Sequence, residues 1–114
     1  MATIDVTLNT VADGPFQVLA LYGATPPTGV TVVPTAPLKP PRIAASLLIE
    51  ADPANGSATV YWGDAQLTPA TAEKGLILLA GGSNQKTNVP LAGEYVNASA
   101  DGTVLHIAAD GGFQ

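Results

Sequence analysis

Every apolar run in this chain is short, and each is cut off by glycine, proline or an Asp/Asn turn before a helix of ordinary length could form. Residues 3–10 alternate strictly, with Ile4, Val6 and Leu8 on one face and Thr3, Asp5, Thr7 and Asn9 on the other, the period of a half-buried strand. Asp13-Gly14-Pro15 is a tight-turn sequence, so residues 16–22 are predicted as a second strand paired with the first in a hairpin. Residues 42–50 are the most apolar candidate, with Ile43, Ala45, Leu47 and Ile49 on one face, and are predicted as an interior strand. Asp52-Pro53-Ala54-Asn55-Gly56 then predicts a turn and a hairpin partner over residues 57–62. Further strands are expected at 76–79, 84–89, 94–98 and 103–108. The last two are read as a hairpin through Asp101-Gly102. Seven to nine short strands without helical periodicity predict an all-β fold, an antiparallel β-sandwich with a jelly roll or barrel among the arrangements open to it.

Six of the ten prolines, Pro26, Pro27, Pro34, Pro37, Pro40 and Pro41, crowd into residues 23–41. Proline fixes φ and removes a donor, so no helix runs through this stretch. It is expected to be an extended or polyproline-like arm or loop at residues 24–41, with Val30-Thr31-Val32-Val33 able to form a short edge strand. Residues 66–74, rich in Thr, Pro and Ala, are expected as a loop holding at most one helical turn.

With 114 residues and no break in composition, the chain predicts a single domain, residues 1–114. A net charge of −5 opposes any partner read through phosphates, so neither nucleic acid nor an anionic membrane is expected. Only 11% of residues are charged, against about 25% in ordinary soluble domains, and a surface this poor in charge favours contact with neighbours. No apolar run reaches the roughly 18 residues of a membrane span. The first residues alternate and lack a basic segment, which reads as a strand rather than a secretory signal. The absence of cysteine removes disulfides and thiolate chemistry.

The chemistry-bearing residues fit no catalytic or metal-binding spacing. His106 is the sole histidine, placed in the alternating run Val104-Leu105-His106-Ile107, and is expected to pack beside a sheet. Asp13, Asp52, Asp101 and Asp110 lie in Gly- or Pro-containing turns, where a short carboxylate caps its own backbone, and no acidic series has calcium-loop spacing. Gly81-Gly82-Ser83-Asn84-Gln85-Lys86-Thr87 fails as a phosphate loop because Gln85 stands where glycine is required, so a turn entering a strand is expected. Asn55-Gly56-Ser57 and Asn97-Ala98-Ser99 are formal glycosylation sequons, read as turn and strand residues. Tyr22, Tyr61, Trp62 and Tyr95 would offer a sugar-stacking platform if exposed. No cofactor and no catalytic residue is expected, and the chain reads as non-enzymatic.

The pieces Ala58-Thr59-Val60-Tyr61-Trp62-Gly63-Asp64, Gly75-Leu76-Ile77-Leu78-Leu79-Ala80-Gly81-Gly82-Ser83, Val89-Pro90-Leu91 and Gly93-Glu94-Tyr95-Val96-Asn97-Ala98, continuing to Val104, resemble in their order the small β-domains of tailed-phage virion proteins. The resemblance covers roughly the last half of the chain. It implies a virion accessory protein present in symmetric copies, either a capsid decoration (cement) protein or a fibre-associated domain. The lack of heptads and shaft repeats favours cement. The implied partners are the major capsid protein and further copies of the chain as a dimer or trimer. The implied location is the capsid surface, after synthesis in the host cytoplasm. The expected contact residues are Pro26, Pro27, Val32, Pro34, Pro37, Leu38, Pro40 and Pro41 of the arm, with Phe113. A fibre component or a small carbohydrate-binding module is the alternative. If the arm only docks, deleting residues 25–41 is expected to leave a folded sheet that no longer attaches.

Overall fold

The computed structural model describes residues 2–33, 40–67 and 75–111. Pro34, Pro37, Leu38 and Phe113 lie outside the described residues, as does the expected loop from residue 68 onward. Among the described residues, nine strands and one α-helical turn, besides three short 3₁₀ turns, follow in chain order: β1 (Ala2–Leu8), β2 (Phe16–Gln17), α1 (Val18–Leu21), β3 (Val30–Val33), β4 (Ile43–Ala51), β5 (Val60–Gly63), β6 (Leu76–Leu78), β7 (Ser83–Pro90), β8 (Tyr95–Ala98) and β9 (Thr103–Asp110). They form two antiparallel sheets, ordered β3-β1-β9-β4-β7 and β2-β8-β5-β6. The all-β sandwich expected from the alternation is the architecture found.

The pairing is nested. β5 pairs with β6, β4 with β7, β2 with β8 and β1 with β9, as if one long hairpin folded at the β5–β6 connection had been rolled into two layers. That is the double Greek key of a jelly roll, with β3 added outside β1.

This nesting overturns all three expected hairpins. Residues 16–22 do not return beside β1. Phe16 and Gln17 pair with Val96 and Tyr95 in the opposite sheet, and the chain then winds into α1. Val18, Leu21 and Tyr22 are buried at helical spacing, so a single turn covers one end of the core better than a continued strand would. The Asp52–Gly56 turn carries the chain from β4 across to β5 in the other sheet, and Asp101-Gly102 carries it from β8 back to β9. Gly102, at φ +84°, donates its N–H to the Leu8 carbonyl at 2.7 Å, which ties that crossing to the end of β1.

Between the layers Ile4, Val6, Leu8, Leu47, Ile49, Leu105 and Ile107 meet Phe16, Val60, Trp62, Leu78 and Val96. β4 is interior, as expected, but its faces are not those expected. Ala44 is buried, then Leu47, Ile49 and Ala51, while Ile43 and Ala45 are exposed. The ladder to β7 is interrupted between Ala44↔Val89 and Ser46↔Thr87, where Asn88 takes φ 54°, and the local distortion resets the alternation.

Candidate functional site

β3 is the edge strand expected within the proline-rich stretch, and it is integral to the sheet rather than part of a free arm. Residues 30–33 pair in register with residues 5–8 of β1, and Val32 is only 3% exposed within the core. Thr10 donates its N–H to Gly29 O at 3.1 Å, fixing the approach to β3. Among the expected contact residues, Val32 and Pro41 are buried, and Pro26, Pro27 and Pro40 are half-buried. Val32 therefore serves the core and is not offered to a partner.

The structure brings together two side-chain clusters that no sequence spacing announces. On the outer face of the five-stranded sheet, His106 of β9 lies beside Asp5 of β1 and Glu50 of β4 in register. Its Nδ1 is 2.7 Å from Asp5 Oδ1 and its Nε2 is 2.8 Å from Asp52 Oδ2. Asp52 also caps the 3₁₀ turn at Pro53–Asn55 by accepting the Ala54 N–H at 2.7 Å. The bond to Asp5, helped by Asp52 and opposed by partial desolvation, raises the His106 pKa above its ordinary value. The Ala54 N–H and then His106 lower that of Asp52. Through its bonds to Asp5 and Asp52 the imidazole forms an ionic latch joining β1, β9 and the β4–β5 crossing.

The latch sets a pH window. His106, with its folded pKa raised, stabilises the fold fully below about pH 6.5 and loses that contribution as pH rises through the raised value. Asp52, with its folded pKa lowered, contributes fully above about pH 4 and loses it as pH falls through the lowered value. Thermal unfolding followed by circular dichroism should show a maximum between these limits, with Glu50 as the further acidic neighbour on β4. His106→Gln should flatten the decline on the alkaline side. A variant whose melting temperature tracks the parent at every pH would show that the latch adds nothing.

The second cluster closes one margin between the layers. Glu94 Oε1 accepts from Trp62 Nε1 at 2.8 Å and from Lys86 Nζ at 2.8 Å, and Lys86 Nζ stands 4.7 Å from the centre of the Trp62 ring. Trp62, Tyr61 and Tyr22 are buried, and desolvation pushes the Tyr22 hydroxyl far above its ordinary pKa while it donates to Ala2 O at 2.8 Å. The three aromatics give no sugar-stacking face.

An open depression of about 400 Å³ is lined by Asp52, Asn55, Asp101 and Val104, among others. Its polar groups are taken up by the fold. Asn55 holds both the N–H and the carbonyl of Val104, at 2.9 and 2.8 Å, and Asp101 accepts the Val11 N–H at 2.9 Å. Asn97 is fully buried and donates to Val11 O at 3.2 Å. Both sequon asparagines are thus structural, as expected of turn and strand residues. Gly81 and Gly82 lead into β7, as expected of a turn entering a strand.

What remains unsatisfied is apolar surface. Val33 on β3, Ile43 and Leu48 on β4, and Leu76, Ile77 and Leu79 at β6 are large aliphatic side chains left exposed. No family model, no curated protein and no solved structure matches this chain.

Proposed function

We propose that the chain is a structural assembly protein, and specifically a capsid decoration protein that binds across major capsid subunits and resists their separation. The observation that carries the proposal is the surface. Aliphatic side chains stand exposed on or beside three strands of a chain with 11% charged residues, while His106, Asp5 and Asp52 in one cluster and Glu94, Lys86 and the Trp62 N–H in the other are engaged with one another. Such a surface suits weak contacts repeated over a lattice, where linkage to several subunits raises the effective concentration at each. Jelly rolls serve capsids and carbohydrate-binding domains alike, so the fold by itself does not choose between them. The resemblance to tailed-phage virion proteins favours the capsid, and the burial of Trp62, Tyr61 and Tyr22 weighs against the sugar-binding alternative.

Cryo-electron microscopy of particles from the source cells tests the proposal, with density for this fold expected over junctions between capsid subunits. Replacing residues 34–39 by a Gly/Ser linker of equal length retains both β3 and β4. It is expected to weaken attachment to shells by at least about tenfold, equivalent to about 1.4 kcal/mol, with an unchanged circular dichroism spectrum. Density on tails alone, or undiminished attachment of the linker variant, would argue against capsid cementing through the proline-rich segment.

A further inference from the structure

We propose that β6 is a self-pairing edge, through which two copies of the chain join antiparallel so that their four-stranded sheets become one continuous sheet. β6 is the outer strand of its sheet, and its inner side is bonded to β5 in the register Val60↔Leu78, Tyr61↔Ile77 and Trp62↔Leu76. Among the described residues β6 has no ladder partner on its outer side, and just past it the Leu79 carbonyl accepts the Gly82 N–H at 2.7 Å. An unpaired strand edge is a template for another strand, and natural sheets guard such edges with charge, proline, bulges or brevity.

The other three edges carry such guards. β7 has Lys86, the left-handed Asn88 and Pro90; β2 is two residues long and passes into α1; β3 runs into Pro34. β6 is itself short, three residues, but it and the residues around it, Gly75-Leu76-Ile77-Leu78-Leu79-Ala80-Gly81-Gly82, carry no charge and no proline. Gly75, at φ +70°, sits where a Cβ would run into the Trp62 carbonyl oxygen, so the charge-free run opens on a residue that only glycine fits.

The occupant that matches this edge is a second copy. Antiparallel pairing about a two-fold axis at Leu78 sets Ile77 opposite the partner subunit's Leu79, and Leu79 opposite the partner subunit's Ile77. Opposed residues of an antiparallel pair point to the same face with Cβ atoms about 5 Å apart. Ile77 and Leu79, 54% and 66% exposed, would thereby cover one another in an isologous contact. Two chains of net charge −5 repel on average, and the charge-free edge is where they meet at least electrostatic cost. A partner recognised by charge would find no charged side chain on this segment to read.

This inference deepens the assembly proposal by naming a contact, but its test needs only the purified chain. Sedimentation equilibrium at about 0.15 M salt should show monomer–dimer exchange with a Kd on the order of 100 µM, as fits a small interface. Ile77→Lys, and separately Leu79→Lys, should weaken it at least tenfold, while Ile43→Lys, at an equally exposed aliphatic on β4, should leave it unchanged. Both edge positions are more than half exposed, and circular dichroism verifies that each variant remains folded. A chain that stays monomeric at about 1 mM, or Lys variants that dimerise like the parent, would overturn the pairing. Monomers that still coat shells would overturn it while sparing the assembly proposal, whereas dimers that never bind shells would do the reverse.

Discussion

Deleting residues 25–41 is expected to abolish the cooperative melting transition rather than to yield a folded sheet stripped of a docking arm. The deletion takes β3 out of the five-stranded sheet and with it Val32, whose side chain is enclosed with the core residues of β1 and β9. Burying a valine stabilises by about 1.5–3 kcal/mol, and the hole left by its removal adds to the loss. β1 also forfeits its outer partner along residues 5–8 and the Thr10 N–H bond to Gly29. A combined loss of about 3–6 kcal/mol is a large share of the roughly 5–15 kcal/mol that holds an ordinary domain together. Far-UV circular dichroism on heating decides the matter. A deletion variant that melts cooperatively within a few degrees of the full chain would show that β3 is dispensable and that the whole proline-rich stretch acts as an appendage. For this reason the attachment experiment replaces only residues 34–39.

The same contrast marks how far the sequence could be read. Alternation located the strands because solvent on one face and core on the other is a local property: Ile4, Val6 and Leu8 announce β1, and Leu105 and Ile107 announce β9. Pairing is not local. A turn such as Asp52–Gly56 guarantees that the chain changes direction, but the same residues serve a return within one sheet and a crossing to the other. Here the crossing is settled by Asn55 gripping Val104 and by Asp52 reaching His106, contacts 49 and 54 residues away in sequence. The latch on His106 was out of reach for the same reason, since Asp5 is 101 residues distant. Lys86, Glu94 and Trp62 likewise come from three strands or their ends. Val18, Leu21 and Tyr22 fit a helical turn as well as residues 16–22 fit a strand, and the buried set follows the helical spacing. The exposed aliphatics of β6 were visible as an apolar run. That the run lies at the edge of its sheet, with no further strand beside it among the described residues, follows only from the strand order.

Trp62→Ala is expected to be the most destabilising single substitution, because it removes packing and a polar anchor at once. The side chain is fully buried between the layers, and truncating a buried aromatic costs about 3–5 kcal/mol. Its indole N–H also satisfies Glu94, a carboxylate whose side chain is only 14% exposed, and its ring faces the Lys86 ammonium. Trp62→Phe separates the two contributions. It keeps most of the apolar volume, removes the donor, and leaves Glu94 with Lys86 alone, so a smaller loss of about 1–2 kcal/mol is expected. With an unfolding slope of about 1–3 kcal/mol per molar urea, the alanine variant should lower the midpoint by about 2 M and the phenylalanine variant by under about 1 M. The readout must be backbone circular dichroism, since Trp62 is the only tryptophan and its loss removes the fluorescence probe. Combining Trp62→Phe with Lys86→Met then measures their coupling. If the two losses add, the indole N–H and the ammonium bond Glu94 independently of one another. If the double variant loses less than the sum, the three side chains act as one closure of the sandwich margin.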